Sequence, residues 1–397
     1  MQILGRNRTK SVLFILIVLL MFGSIRRQAI HQIPVDDFVA YWAASRLQLQ
    51  GLNPYSASEI LAVERAVGMQ GDEPLIMLNP PWTLVFLLPF GFLDYPAGRL
   101  AWLLLALSSV FLSAHWLWLV YQGPHHSLRL ALALAFCFVP LLVCLILGQI
   151  TPLILLGVSG FLYFEGRSKP LSAGACLVLL ALKPQLFYLF WLGLFLWVLH
   201  GRRWKILWGA SICGATAITL GAIWDSAIIA HYVEFASSQP PMLHWRTPTL
   251  GTLLRTIIGM EQTWLQFAPM FAGTAWLLFH WKNQRDGWVW SEQMPLILVV
   301  SLTTTSYVWF YDQMLFLPAI LQVAATGLVS RSKSQQRSMV TAFVVMNLIL
   351  VILIFFKLSP LYFVWSFGCW LVLYWLFFLR NRGTLAPHAV GQMPVND

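Results

Sequence analysis

Asp36-Asp37-Phe38-Val39-Ala40-Tyr41-Trp42 is the stretch that follows the first apolar run of the chain. Two adjacent carboxylates are costly inside lipid, so they mark the wet edge of a membrane span. A carboxylate at that edge is well placed to act as a base on substrates delivered along the bilayer. Alternatively, Asp36 and Asp37 only cap the helix that follows, and the sequence leaves both interpretations open.

The composition is that of a polytopic membrane protein. Hydrophobic residues make up 59% of the 397 residues, charged residues 10%, and the mean hydropathy is +0.72. Such values lie outside the range of soluble globular domains. The formal net charge of +10 comes from short basic clusters between apolar runs, which is typical of membrane topology signals and disfavours nucleic acid as a partner.

The cysteine positions do not indicate disulfide bonds or a metal site. The five cysteines all lie within apolar runs and lack metal-ligand spacing, so neither a disulfide scaffold nor a zinc site is expected. There is also no glycine-rich phosphate loop and no H-E-x-x-H motif, so ATP-driven transport and zinc proteolysis have no support.

Apolar runs long enough to cross a bilayer, or nearly so, predict about twelve transmembrane helices. They lie at residues 11–25, 99–121, 130–147, 149–164, 170–182, 185–199, 205–224, 264–281, 294–310, 311–329, 339–356 and 360–379. Residues 82–93 form a shorter run after Asn79-Pro80-Pro81, and we interpret them as an interfacial segment. This choice leaves most Lys and Arg on one side, as the positive-inside rule requires, with both termini cytoplasmic.

Some boundaries remain alternatives. The two runs beside Gly166 to Pro170 are also compatible with a hairpin that crosses only partly. We predict one transmembrane domain over residues 1–382 and a disordered cytoplasmic tail over 383–397.

The topology places several polar segments together on the outer face: residues 26–98, 149–151, 183–185, 225–263 and the turn at 307–313. In the first, apolar residues share one helical face from Asp37 to Gln50, and Gly51 stands where a helix would end. Ser56 and Glu59 form the pattern of a capping box opening a second helix. We expect this outer loop to carry two helices lying on the membrane surface.

Three further positions are candidates for chemistry. Lys183 interrupts an apolar run before Pro184, and a lysine at a broken helix binds anions such as phosphate; alternatively, it snorkels to the interface. Asp312 lies between two apolar runs and is either a turn residue or part of a wet cavity. The loop containing His244 and Arg255 has the aromatic and basic residues of a sugar or lipid-headgroup cover, or of an ordinary interfacial belt.

A series of short motifs occurs in order along most of the chain. They are Asp37-Phe38 with Tyr41-Trp42-Ala43-Ala44, Gly51-x-Asn53-Pro54-Tyr55, Asn79-Pro80-Pro81-Trp82, Gly148-Gln149-Ile150-Thr151, Lys183-Pro184-Gln185, Arg203-Trp204, Thr247-Pro248-Thr249-Leu250-Gly251 with Arg255, and Tyr311-Asp312-Gln313. Each motif is weak alone, but the series resembles glycosyltransferase family 87, a group of polyprenyl-phosphate-mannose-dependent mannosyltransferase-like membrane proteins. The mannosyltransferase branch tends to have histidine near the position of Asp312-Gln313, and this chain departs from it there.

The resemblance implies an all-α GT-C bundle that moves a hexose, mannose first, from a polyprenyl-phosphate donor to a lipid or glycan acceptor. It implies Asp37 as catalytic base with inversion, no required cofactor or metal, and a multi-pass position in the plasma membrane, the inner membrane of a bacterium. The expected substrate-binding residues are Asp36, Tyr41, Gln149, Lys183, Gln185, His244, Arg255 and Asp312. The alternative is a multi-span transporter or flippase of lipid-linked or small polar substrates.

Overall fold

A computed structural model describes residues 36–238 and 246–380, and within these ranges every regular element is helical. The helices are α1 (Phe38–Leu49), α2 (Ala57–Ala66), α3 (Leu84–Gly91), α4 (Tyr95–Val120), α5 (Leu128–Phe136), α6 (Val139–Ile146), α7 (Thr151–Glu165), α8 (Pro170–Leu180), α9 (Tyr188–Gly201), α10 (Trp204–Ala222), α11 (Ile228–Ser238), α12 (Leu250–Ile258), α13 (Ala268–Gln284), α14 (Trp290–Thr304), α15 (Leu317–Ser330), α16 (Lys333–Phe355) and α17 (Val364–Phe377). The predicted first span at 11–25, His244 and the predicted tail at 383–397 lie outside the described residues.

Within the described residues, six helical segments are long and apolar enough to cross a membrane. They are Tyr95–Val120, Pro184–Gly201, Trp204–Ala222, Phe310–Ser330, Lys333–Phe355 and Pro360–Phe377. A seventh is obtained if His125–Phe136 and Val139–Ile146, which meet at an angle of 63°, count as one broken span. The protein is therefore an all-helical membrane protein.

The predicted total of twelve spans is not confirmed. Four expected spans within the described residues are not among these segments. Those at 149–164 and 170–182 are the short apolar helices α7 and α8, of 15 and 11 residues, and those at 264–281 and 294–310 are α13 and α14, of 17 and 15 residues. Residues 82–93 hold the eight-residue α3 and part of the short 3-10 turn before it; this segment is too short to cross, and α3 packs against α1. Apolar composition persists through turns that end helices, so the length of an apolar run overstates the length of the helix.

The first helix begins and ends where the sequence predicts. Gly51 has φ +71°, and the amide of Leu52 donates to the Leu47 carbonyl, as in a Schellman C-cap. α2 begins after Ser56 as predicted, but the Ser56 side chain makes no capping hydrogen bond to the helix. The capping-box interpretation is therefore correct for the helix start and wrong for the contact.

α1 is buried within the protein, and its position at the membrane surface stays a prediction. Ten of its twelve residues are buried, including Phe38, Trp42 and Ala43. The Gln48 amide also donates to the Gly221 carbonyl at 2.9 Å, which fastens α1 to α10. A helix buried on all sides lies within the bundle, so α1 is a core element of the fold.

Aromatic packing fixes the start of α1. The fully buried Phe38 ring lies 5.6 Å from that of Trp102 and 5.9 Å from that of Tyr95, and Phe90 contacts it edge to face at 6.3 Å. Such pairs each contribute about 0.5–1.5 kcal/mol beyond area burial. The backbone that carries Asp36 and Asp37 is therefore held rigidly against α4.

Candidate active site

Asp37 directs its carboxylate away from the helix it precedes. Its side chain makes no capping hydrogen bond to α1, and instead its Oδ2 accepts from Nε2 of Gln149 at 2.5 Å. The Gln149 Oε1 accepts in turn from the Tyr41 hydroxyl at 3.3 Å. This geometry disfavours the interpretation that Asp37 is only a cap, because its carboxylate is oriented by a residue 112 positions away.

Lys183 is the cation of the site. Its Nζ donates to Asp312 Oδ1 at 2.9 Å and to Gln149 Oε1 and Thr151 Oγ1 at 3.2 Å each. Asp312, 2% exposed, also accepts from the Thr151 hydroxyl at 2.8 Å and from the Trp309 amide at 3.1 Å. Gln149 therefore links the Asp37 carboxylate to a buried ion pair, and the five side chains form one continuous hydrogen-bonded cluster with Tyr41.

Asp36 has a different partner. Its Oδ2 lies 2.6 Å from Nε of Arg99, and its Oδ1 accepts from the Phe38 amide at 3.0 Å. The Arg99 guanidinium also donates to the carbonyls of Leu145 and Ile146 at the end of α6, where a cation offsets the negative helix terminus. Asp36 thus caps α1 in part and ties it to the turn that carries Gln149.

The turn before Gln149 requires glycine. Gly148 has φ +68°, and a Cβ at that position would lie 2.6 Å from Cβ of Phe38. Its carbonyl accepts from the Trp102 indole at 2.7 Å. The close approach that only glycine permits brings Gln149 within reach of Asp37.

Lys183 is positioned by a second set of contacts. The Asn79 amide donates to the Leu182 carbonyl at 2.8 Å, and the Trp82 indole donates to the Ala181 carbonyl at 3.1 Å. These donors satisfy carbonyls left free where α8 ends, and Pro184 then starts a new helical segment. The broken helix predicted from the sequence is confirmed, and it presents Lys183 to the cluster.

Aromatic rings border the cluster on the segment before α15. The rings of Trp309 and Tyr311 are nearly parallel, with centroids 6.3 Å apart, and the Trp309 indole donates to the Tyr307 hydroxyl at 2.8 Å. Nζ of Lys183 lies 5.2 Å from the centre of the Tyr311 ring. Aromatic faces next to charged groups suit a sugar, whose C–H face stacks while its hydroxyls form hydrogen bonds.

Comparison with known proteins identifies the family to which this chain belongs. A model of glycosyltransferase family 87 matches residues 78–355, well over half of the chain. The chain belongs to glycosyltransferase family 87. No curated protein and no solved structure matches it.

Membership of family 87 makes the protein a glycosyltransferase. The matched residues include Arg99, Gln149, Lys183 and Asp312, whereas Asp37 precedes them. Asp37 is joined to the matched range by its contact with Gln149, which lies inside that range.

The glycosyltransferase brings five of the predicted site residues together: Asp37, Tyr41, Gln149, Lys183 and Asp312. Asp36 lies beside them but pairs with Arg99. Gln185 is half-buried, and its backbone carbonyl accepts from the Thr305 hydroxyl at 3.0 Å. His244 lies outside the described residues.

Arg255 belongs to a separate network. Its guanidinium donates to the Met260 carbonyl and to Oε1 of Gln266, and Nε2 of Gln266 donates to the Ser306 carbonyl at 2.6 Å. Ser306 precedes Tyr307 of the aromatic border. Through Gln266, these contacts link Arg255 to the segment that carries the aromatic border.

Sequence reasoning missed Arg99 and Thr151 as site residues. Thr151 belongs to the motif Gly148-Gln149-Ile150-Thr151, of which only Gln149 was predicted to be a site residue. Arg99 had a weaker signal: a cation at the start of an apolar run on the side where positive charge is disfavoured. Its carboxylate partner, Asp36, is 63 residues away in the sequence, so spacing gave no indication of the pair.

The environment of Asp37 suits a base. Burial raises the pKa of its carboxyl above the usual 3.8, while the hydrogen bond from Gln149 and the charge of Lys183 oppose that shift. A carboxylate with a raised pKa is a stronger proton acceptor than an exposed one. The cluster can therefore accept a proton at Asp37 and supply positive charge at Lys183.

Proposed function

We propose that this glycosyltransferase moves a hexose, mannose first, from a polyprenyl monophosphate to a hydroxyl of a lipid or glycan acceptor. The observation that carries the proposal is the Asp37 carboxylate, which is half-buried, oriented by Gln149 and linked through it to Lys183. The acceptor oxygen attacks the anomeric carbon while Asp37 takes its proton. Attack opposite the leaving phosphate inverts the anomeric centre.

Lys183 stabilises the phosphate as it departs. Its two hydrogen bonds to Gln149 and Thr151, at 3.2 Å each, are longer than its 2.9 Å hydrogen bond to Asp312. In this proposal, an oxygen of the leaving phosphate replaces Gln149 or Thr151 as a partner of Lys183. Charge that develops on a leaving group is best met by a donor already in position. A monophosphate offers no pyrophosphate for a metal to chelate, and in this proposal Lys183 supplies the positive charge.

The site faces outward in this proposal. Most Lys and Arg lie at the other end of the spans, which the positive-inside rule assigns to the cytoplasm. The donor lipid remains in the outer leaflet of the plasma membrane, and its head reaches the cluster. Family membership favours this enzyme over the transporter alternative. Sugar transfer alone accounts for the cluster around Asp37, and no translocation step is needed to explain it.

The direct test is transfer of labelled hexose in membranes that contain the chain, compared with membranes that lack it. We expect product from polyprenyl-phosphate mannose and none from a nucleotide sugar, with the anomeric configuration of the product opposite to that of the donor. Transfer from polyprenyl-phosphate glucose alone would change the sugar and keep the mechanism. Transfer only from a nucleotide sugar, or retention of configuration, would contradict the mechanism.

The pH dependence provides a second prediction. The base must be deprotonated, so transfer falls as the pH decreases through the pKa of Asp37, and burial places that fall above the usual 3.8. Replacing Gln149 with Met removes a hydrogen bond that lowers this pKa and moves the fall to still higher pH. The measurement is kcat/KM against pH in detergent for both proteins. An acid limb that stays in the same place in the Gln149→Met variant would contradict the assignment.

A further inference from the structure

A second polar site lies at the opposite end of the bundle from the Asp37 cluster. α7 runs from Thr151, in the cluster, to Glu165, and the helical segment after Lys183 runs from Pro184 to Gly201. The 18 residues of that segment rise about 27 Å, which is close to the thickness of the hydrocarbon core, about 30 Å. Residues 165–168 and 202–208 therefore lie at the other membrane surface.

These residues line a cavity of about 550 Å³. Its charged lining consists of three cations, Arg202, Arg203 and Lys205, and one carboxylate, Glu165. The Arg203 guanidinium lies 4.3 Å from the centre of the buried Trp197 ring and 3.9 Å from Glu165 Oε1. The exposed Arg203 thus lies against the cavity wall, and the net charge of the lining is positive.

Three tryptophans, Trp197, Trp204 and Trp208, form much of the remaining wall. The indoles of Trp204 and Trp208 are 48% and 64% exposed, although they belong to a membrane-spanning helix. Exposed tryptophans at the end of a span lie at the level of lipid headgroups and contact glycerol and the first part of the acyl chains. The cavity therefore offers charge to a phosphate and rings to the lipid beside it.

We propose that this cavity binds the headgroup of an anionic phospholipid from the leaflet opposite the sugar-transfer site. A basic pocket between membrane helices recognises such headgroups by charge and by shape. The volume suits a phosphate with its glycerol, whereas a free inorganic phosphate would occupy only a small part of it. Arg203-Trp204, a motif that the sugar-transfer mechanism does not use, then has a role of its own.

The test is native mass spectrometry of the full chain in detergent, titrated with phosphatidylglycerol or phosphatidylcholine. The variant is Arg203→Ala with Lys205→Ala. The matched control is Lys333→Ala with Arg337→Ala, two exposed cations at the same end of the bundle on α16. We expect phosphatidylglycerol to bind the wild type and the control equally, and the cavity variant at least about tenfold more weakly, with little phosphatidylcholine bound by any of them.

Three results would overturn the proposal. Equal loss of binding in the cavity and control variants would mean that charge acts diffusely along the surface. Equal binding of phosphatidylcholine and phosphatidylglycerol would mean that the cavity does not distinguish headgroups by their charge. Displacement of the lipid by millimolar inorganic phosphate would assign the cavity to a free phosphate ligand. If Arg203→Ala reduces folding, the exposed Lys205→Glu alone serves as the cavity variant, with the same expected direction.

Discussion

Replacing Asp37 with Asn lowers the rate of sugar transfer by about 100- to 10,000-fold, the usual contribution of a general base. The amide retains the shape of the side chain but does not accept the proton of the acceptor hydroxyl. Because the carbonyl oxygen of Asn can still accept from Gln149, the local structure changes little. We expect the donor to bind as tightly as before, so the loss appears in kcat rather than in KM.

The measurement is transfer from labelled polyprenyl-phosphate mannose at matched expression, with donor binding measured separately. Asp72→Asn is the matched control, because this carboxylate belongs to the same polar region, is 97% exposed and pairs with Arg65 on the surface. The control should transfer at the wild-type rate. If Asp37→Asn also transfers within about threefold of the wild type, the carboxylate is not the base, and the mechanism fails.

The meeting of Asp37, Lys183 and Asp312 follows from topology rather than from any single motif. Once the spans alternate, polar segments at residues 37, 149, 183 and 312 fall at the same end of the bundle, and the contacts among them confirm that grouping. The sequence alone does not reveal which side chains of these segments pair with one another. The pairing depends on side-chain directions set by tertiary packing, such as the contact between Gly148 and Phe38.

The extent to which α1 is buried has a related cause. Phe38, Trp42 and the small Ser45 suggested one buried face, but Gln48 is buried as well, and its amide nitrogen donates to the Gly221 carbonyl. A polar residue therefore does not mark an exposed face when a carbonyl is available inside the bundle. Burial of polar side chains is a property of the neighbours, which the sequence of one helix does not reveal.

The ion pair of Lys183 and Asp312 is expected to contribute both to the stability of the fold and to sugar transfer. A double-mutant cycle separates these two contributions. The side chains are 11% and 2% exposed, and removing one partner of such a pair typically costs about 3–5 kcal/mol because the other charge stays buried. Replacing both with apolar residues of similar size removes both desolvation costs. The unsatisfied Trp309 amide then leaves a residual cost of about 1 kcal/mol.

We therefore expect Lys183→Met and Asp312→Leu each to lower the melting temperature in detergent, and the double variant to recover most of that loss. Sugar transfer should stay absent in all three proteins, because the double variant still lacks the cation that stabilises the leaving phosphate. Recovery of transfer together with stability would make the pair purely structural. Single variants that melt like the wild type would show that the pair contributes no net stability. If instead the fold recovers and activity does not, Lys183 acts on the substrate, and Asp312 is the residue that keeps its charge in place.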